Sequence, residues 1–129
     1  MDGVRAFNLP VDNMARASRF YRETFGWDIR RIPGSGGDYH FAVTTPADEE
    51  GKPKRIGAIN GGLFERGTHG IRETFLEIMV ESIDECVLKV VAAAGREIRA
   101  KKPIAGTSFF AIVQDSEGNY LGLWEEHDE

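Results

Sequence analysis

The sequence predicts an α+β fold made of two tandem βαβββ copies, and three observations carry that prediction. First, the apolar pattern of residues 6–29 recurs over residues 75–98 at an offset of 69. Leu9 falls on Ile78, Val11 on Val80, Met14 on Ile83, Ala17 on Cys86, Gly26 on Gly95 and Ile29 on Ile98, and further on Phe41 falls on Phe110 and Ala42 on Ala111. Second, the spacing of apolar residues switches within each copy from a period of two to a helical period and back again. Third, Gly, Pro and charged clusters separate the apolar runs at intervals that suit short strands. A repeat at this period must be recognised before single elements are assigned, because it fixes the whole architecture.

In the first copy, residues 4–11 alternate, with Phe7, Leu9 and Val11 on one face, as in a half-buried strand. Met14, Ala17, Tyr21 and Phe25 then fall at helical spacing, and Gly26 supplies the left-handed stop. Strands are expected near 27–32, 39–45 and 56–65. "GSGG" at 34–37 reads as a turn, since no helix follows to make it a phosphate loop. The last hairpin of this copy carries "TPADEEGKPKR", whose Pro, Gly and charge mark a mobile surface loop.

The second copy opens at Phe75. Ser82 and Glu85 stand in capping-box register before a helix whose stripe is Cys86, Val90 and Ala94, with its end at Gly95. Strands are expected at 97–102, 108–114 and 119–126. The last two meet at "DSEG", a tight turn with Gly118 where φ must be positive. The modules, about 1–66 and 72–129, are joined by "RGTHG" into one domain over 1–129.

Composition narrows the function. A chain of 129 residues with 41% hydrophobic content can bury roughly two thirds of its unfolded surface. The net charge of −5 and dispersed Lys and Arg argue against a nucleic-acid partner. No apolar run approaches the roughly 20 residues of a membrane span, and "MDGVRAF" lacks a signal-peptide layout. Cys86 is the sole cysteine, which rules out an internal disulfide and places the chain in a reducing cytoplasm. On its apolar helix stripe, Cys86 reads as inert core. His40 beside a strand, His69 in the linker and His127 in the tail share no spacing or face and read as surface residues.

The twofold repeat, together with "RASRFYRETFGW" after the first strand and "FFAIVQDSEGNYLGLWE" near the end, resembles the vicinal oxygen chelate superfamily. That family includes glyoxalase I, extradiol dioxygenases, fosfomycin-resistance enzymes and bleomycin-resistance binding proteins. The resemblance covers essentially the whole chain. It implies two modules whose sheets curl around a shared cup, and a homodimer. Metal-dependent relatives chelate a divalent ion from the first and last strands of each module. The matching positions here are Ala6, Gly62, Phe75 and Gly122, none with a donor atom, so no metal and no cofactor are expected. Gly62 and Gly122 are expected to leave open room instead.

Alternation along the strands gives the expected lining of that cup: Asn8, Phe41, Val43, Phe64, Phe75, Glu77, Met79, Phe110, Ile112, Tyr120, Gly122 and Trp124. An aromatic wall with few polar groups suits a small organic ligand, although the same rings can pack together as core. Asn8 can anchor a ligand by hydrogen bonds or satisfy neighbouring backbone. Glu77, between Leu76 and Ile78, which are expected to face the helix, can be a catalytic acid or base, or a partly solvated carboxylate in an open cleft. The leading expectation is therefore a metal-independent small-molecule-binding protein. The alternative is a glyoxalase-like lyase or related enzyme using Glu77. A third reading retains a metal through displaced ligands, Glu77 with Glu125 or His40, and a fourth makes the cup a dimer interface.

Overall fold

The computed structural model describes residues 1–32 and 39–127; the GSGG stretch lies outside them. The elements follow the order β1 (Val4–Val11), α1 (Met14–Phe25), β2 (Asp28–Arg31), β3 (Tyr39–Val43), β4 (Asn60–Glu65), β5 (Phe75–Met79), α2 (Ile83–Ala92), β6 (Arg96–Ala105), β7 (Ser108–Gln114) and β8 (Tyr120–Glu126). The fold is α+β, with βαβββ order twice. Two compact units result: Ala6–Thr74 forms one, and Met1–Arg5 joins the chain from Phe75 onward in the other.

In the Ala6–Thr74 unit the strand order is β2-β3-β4-β1, with β1 parallel to β4 and the other pairs antiparallel. Helix α1 starts where the Asn13 side chain accepts the Arg16 N–H and stops at Gly26, whose φ of 72° few L side chains adopt without strain. Its apolar stripe buries Val11, Ile29, Ala42 and Leu63 with help from Phe7, Leu9, Met14, Ala17, Tyr21 and Trp27. That face of the sheet is therefore the core, and Asn8, Tyr39, Phe41, Gly62 and Phe64 alternate onto the other.

The second unit repeats the plan as β5-β8-β7-β6, with β5 parallel to β8. Ser82 caps α2 by accepting the Glu85 N–H at 3.1 Å. The core is Val80, Ile83, Ala111, Val113 and Leu123, packed by Ile78, Cys86, Val87 and Val90. Burial, above all, pushes the Cys86 thiol up. The N-terminal arm is tied to β5, since the Met79 N–H donates to the Gly3 carbonyl at 3.0 Å.

Several expectations are corrected. Helix α2 ends at Ala92, and the left-handed residue is Ala94, with φ of 72°, not Gly95. Gly95 is needed for closeness, because a Cβ there would strike the Gln114 carbonyl and the Val90 side chain. Strand β4 begins only at Asn60, and Ile56 stands fully in solvent. Leu76, expected on the helix side, is 43% exposed and outside the core. His40 lies within β3 and is half-buried, so it is not a surface histidine beside a strand. The repeat also slips. Phe41 pairs with Gly62, whereas Gly122 pairs with Ile112, so Phe110 corresponds to Tyr39 and not to Phe41.

Candidate functional site

Each unit presents a small constellation on the sheet face turned away from its helix. In the Ala6–Thr74 unit, parallel pairing sets Asn8 beside Gly62, and antiparallel pairing sets Phe41 on its other side. Asn8 is only 2% exposed. Its Oδ1 accepts the Tyr39 hydroxyl at 3.1 Å, while its Nδ2 has no hydrogen-bond partner among the described residues. An orphaned buried donor of this kind is rare in native structures and costly to leave unmade. Phe64 is buried, but Phe41 is half in solvent, its ring edge-on to Tyr39 at 6.2 Å.

In the second unit Glu77 pairs with Gly122 across β5 and β8, and Met79 pairs with Trp124. Glu77 is 5% exposed, and its carboxylate is engaged by the Arg5 guanidinium. That guanidinium also lies over the Trp124 ring, 4.2 Å from its centroid, in a cation–π contact. The Trp124 indole N–H donates to Glu126 at 3.1 Å. Phe110 and Trp124, cross-strand partners, hold their rings 6.4 Å apart. Ile112, Tyr120 and Phe75 belong to the same face by alternation.

The two glycines do not stand beside open room, contrary to expectation. A Cβ at Gly62 would overlap the Tyr39 hydroxyl and ring, and one at Gly122 would lie 2.9 Å from Phe110 Cε1 and 3.2 Å from Glu77 Cγ. Glycine is present because an aromatic ring from the neighbouring strand occupies that volume.

This geometry also tests the metal that the family resemblance raises. Ala6, Gly62, Phe75 and Gly122 offer no donor, and a longer side chain at either glycine would have to displace a packed ring. Among the described residues no group of three or more His, Cys, Asp or Glu is placed to hold an ion. The donor set does not fit. The displaced pair Glu77 with Glu125 also fails, since Glu125 faces the helix side of its sheet. There it accepts the Ile83 N–H at 2.6 Å and contacts His127 Nε2 at 2.5 Å. Burial pushes the Glu125 carboxyl up, but the Ile83 N–H, His127 and Lys101 more than offset this and hold it below the ordinary range.

Sequence reasoning missed Arg5 and Tyr39. Alternation puts Arg5 in step with Phe7, Leu9 and Val11, so nothing in the pattern linked it to Glu77. Tyr39 was hidden by the two-residue slip. Comparing which residues oppose the two glycines would have revealed it.

Comparisons with known proteins agree with the fold. The model of the Glyoxalase/Bleomycin resistance protein/Dioxygenase superfamily matches residues 3–123. CFP32, which bears the name of a glyoxylase in Mycobacterium tuberculosis and Mycobacterium bovis, is 29% identical over 121 residues, 92% of this chain and 43% of CFP32. The chain thus spans less than half the length of the curated relatives it matches. Among solved structures, BH1468 from Bacillus halodurans C-125 superposes with a TM-score of 0.66 at 16% identity, covering 99% of this chain and 96% of that one. A superfamily member from Vibrio splendidus 12B01 gives 0.64 at 11% identity, covering 97% and 100%. Among the described residues no helix is long and apolar enough to cross a membrane. With the family model matched over nearly its whole length and the βαβββ order present twice, the chain belongs to the Glyoxalase/Bleomycin resistance protein/Dioxygenase superfamily.

Proposed function

We propose that this chain is a metal-independent member of its superfamily that binds a small, partly planar organic molecule against an aromatic sheet face, as a homodimer in the cytoplasm. The observation that carries the reading is the replacement of donors by rings: where chelating side chains would stand, Gly62 and Gly122 are covered by Tyr39 and Phe110. Support comes from the buried polar groups among those rings. Asn8 keeps an unpartnered amide donor, and Glu77 and Arg5 form a charged pair beside Trp124. Pockets that combine apolar walls with a few convergent polar groups are the usual makeup of small-molecule sites.

Fluorescence titration with a panel of aromatic and peptidic compounds tests this directly, because Trp124 lies within the proposed site and Trp27 reports on the helix-facing core of the Ala6–Thr74 unit. Saturable quenching is expected; silence across a broad panel sinks the reading. Elemental analysis of protein purified without chelators should find no stoichiometric transition metal, and one equivalent of zinc, nickel or manganese would overturn metal independence.

A second reading makes the protein a glyoxalase-like lyase with Glu77 as general acid or base, favoured by the burial of that carboxylate on the sheet face turned away from the helix. It expects Glu77→Gln to abolish turnover, a loss on the order of 10²–10⁴-fold, while binding survives. Arg5 weighs against it by engaging the same carboxylate.

A further inference from the structure

Arg5 is held at two points. One arm of its guanidinium, through Nη1, meets the buried Glu77 carboxylate, and its plane is carried by the Trp124 ring. The Nε and Nη2 donors have no partner among the described residues. The side chain nonetheless retains 33% exposure. A guanidinium fixed at two points, with donors left over on a side chain one third exposed, has already lost the rotamer freedom that a flexible arginine gives up on binding an anion.

We infer that Arg5 is the anchor for a carboxylate on the ligand, and that the molecules this site takes are planar organic monoanions. This deepens the proposed binding function and rests on it. The fork of a guanidinium matches the two oxygens of a carboxylate. Trp124, Phe110 and Met79 supply the surface for the ligand's flat body. The local charges select a single negative charge. Arg5 is already shared with the buried Glu77 carboxylate, so a dianionic phosphate would meet that carboxylate with about twice the repulsion that a singly charged carboxylate meets.

The test compares matched pairs: benzoate with benzamide, and indole-3-acetate with indole-3-acetamide, with phenyl phosphate as a further arm. Affinity is read by calorimetry, and location by the indole N–H resonance of Trp124. Each carboxylate should bind about tenfold or more tightly than its amide mate and shift the Trp124 resonance. Because Arg5→Gln alone strands Glu77, the double variant Arg5→Gln with Glu77→Gln is used beside it, and its fold is checked by thermal melting. In that variant the carboxylate-to-amide ratio should fall to about one.

Equal binding of acids and amides by the unmodified protein, or a preference that persists in the double variant, overturns the Arg5 assignment while leaving small-molecule binding intact. Tighter binding of phenyl phosphate than of benzoate overturns the restriction to monoanions. If no compound of either series binds, the binding function itself falls, and this inference falls with it.

Discussion

The two units solve one packing problem with different chemistry. In each, a polar residue of the first strand stands beside a glycine of the last strand, and a ring from the third strand covers that glycine: Asn8, Gly62 and Tyr39 in one, Glu77, Gly122 and Phe110 in the other. The difference lies in the partner. Asn8 is neutral and receives a hydroxyl from the very ring that fills the gap. Phe110 has no hydroxyl to give, and the charged Glu77 instead draws Arg5 from the N-terminal arm. Duplication conserved the shape of the cradle and left its polar contents free to diverge.

The sharpest way to break this comparison is to remove the two partners in turn. Arg5→Ala leaves a buried carboxylate without its cation and should destabilise the fold by about 3 kcal/mol, read from the midpoint and slope of urea unfolding. Tyr39→Phe leaves only a neutral amide oxygen without its donor and should cost about 1 kcal/mol. Equal costs would mean that Glu77 is solvated well enough to need no partner, and the contrast between a charged and a neutral cradle would be lost.

The glycines differ as well. At Gly62 a methyl group would overlap Tyr39, whose hydroxyl is tied to Asn8, whereas at Gly122 it meets a ring edge at 2.9 Å. Gly62→Ala is expected to lower stability by about 2 kcal/mol and Gly122→Ala by about 1 kcal/mol. Combining Gly62→Ala with Tyr39→Ala should recover part of the loss, because the clash is then gone. No recovery would mean that Gly62 is required by its backbone and not by the ring.

These cradles also mark where the sequence could be read and where it could not. The strand and helix order, the Ser82 start and the Gly26 stop follow from local periodicity and capping chemistry, which act within a few residues. The face shared by Glu77, Phe110, Gly122 and Trp124 was equally accessible, since alternation fixes it. Register was not. A period of two is unchanged by a slip of two residues, so the identity of Phe41 and Phe110 concealed that Tyr39 is the true counterpart. Nor could alternation find Arg5, because a long side chain can reach a neighbour that its own Cβ does not face. Ala94 was missed for another reason: tertiary closeness claimed the glycine at 95 and left alanine in the left-handed position.

The helix starts give the smallest but cleanest contrast. Helix α1 is capped by Asn13 with no acid in its first turn, whereas α2 has Asp84 and Glu85 there, with buried Glu125 accepting the Ile83 N–H besides. Because the Glu125 carboxyl is held below its ordinary value in the folded chain, it contributes stability above the ordinary carboxylate range, and that contribution disappears as pH falls through the depressed value. Glu125→Gln keeps an acceptor for Ile83 but loses the charge at the helix N-terminus, so it should cost about 1 kcal/mol at neutral pH. The gap from the unmodified protein should then close in acid, below about pH 4. Thermal melts of both proteins across pH measure that closure. Amide protection should weaken in α2 before α1 over the same range, since Asn13 does not titrate; a gap that stays constant with pH would show that Glu125 acts through packing alone.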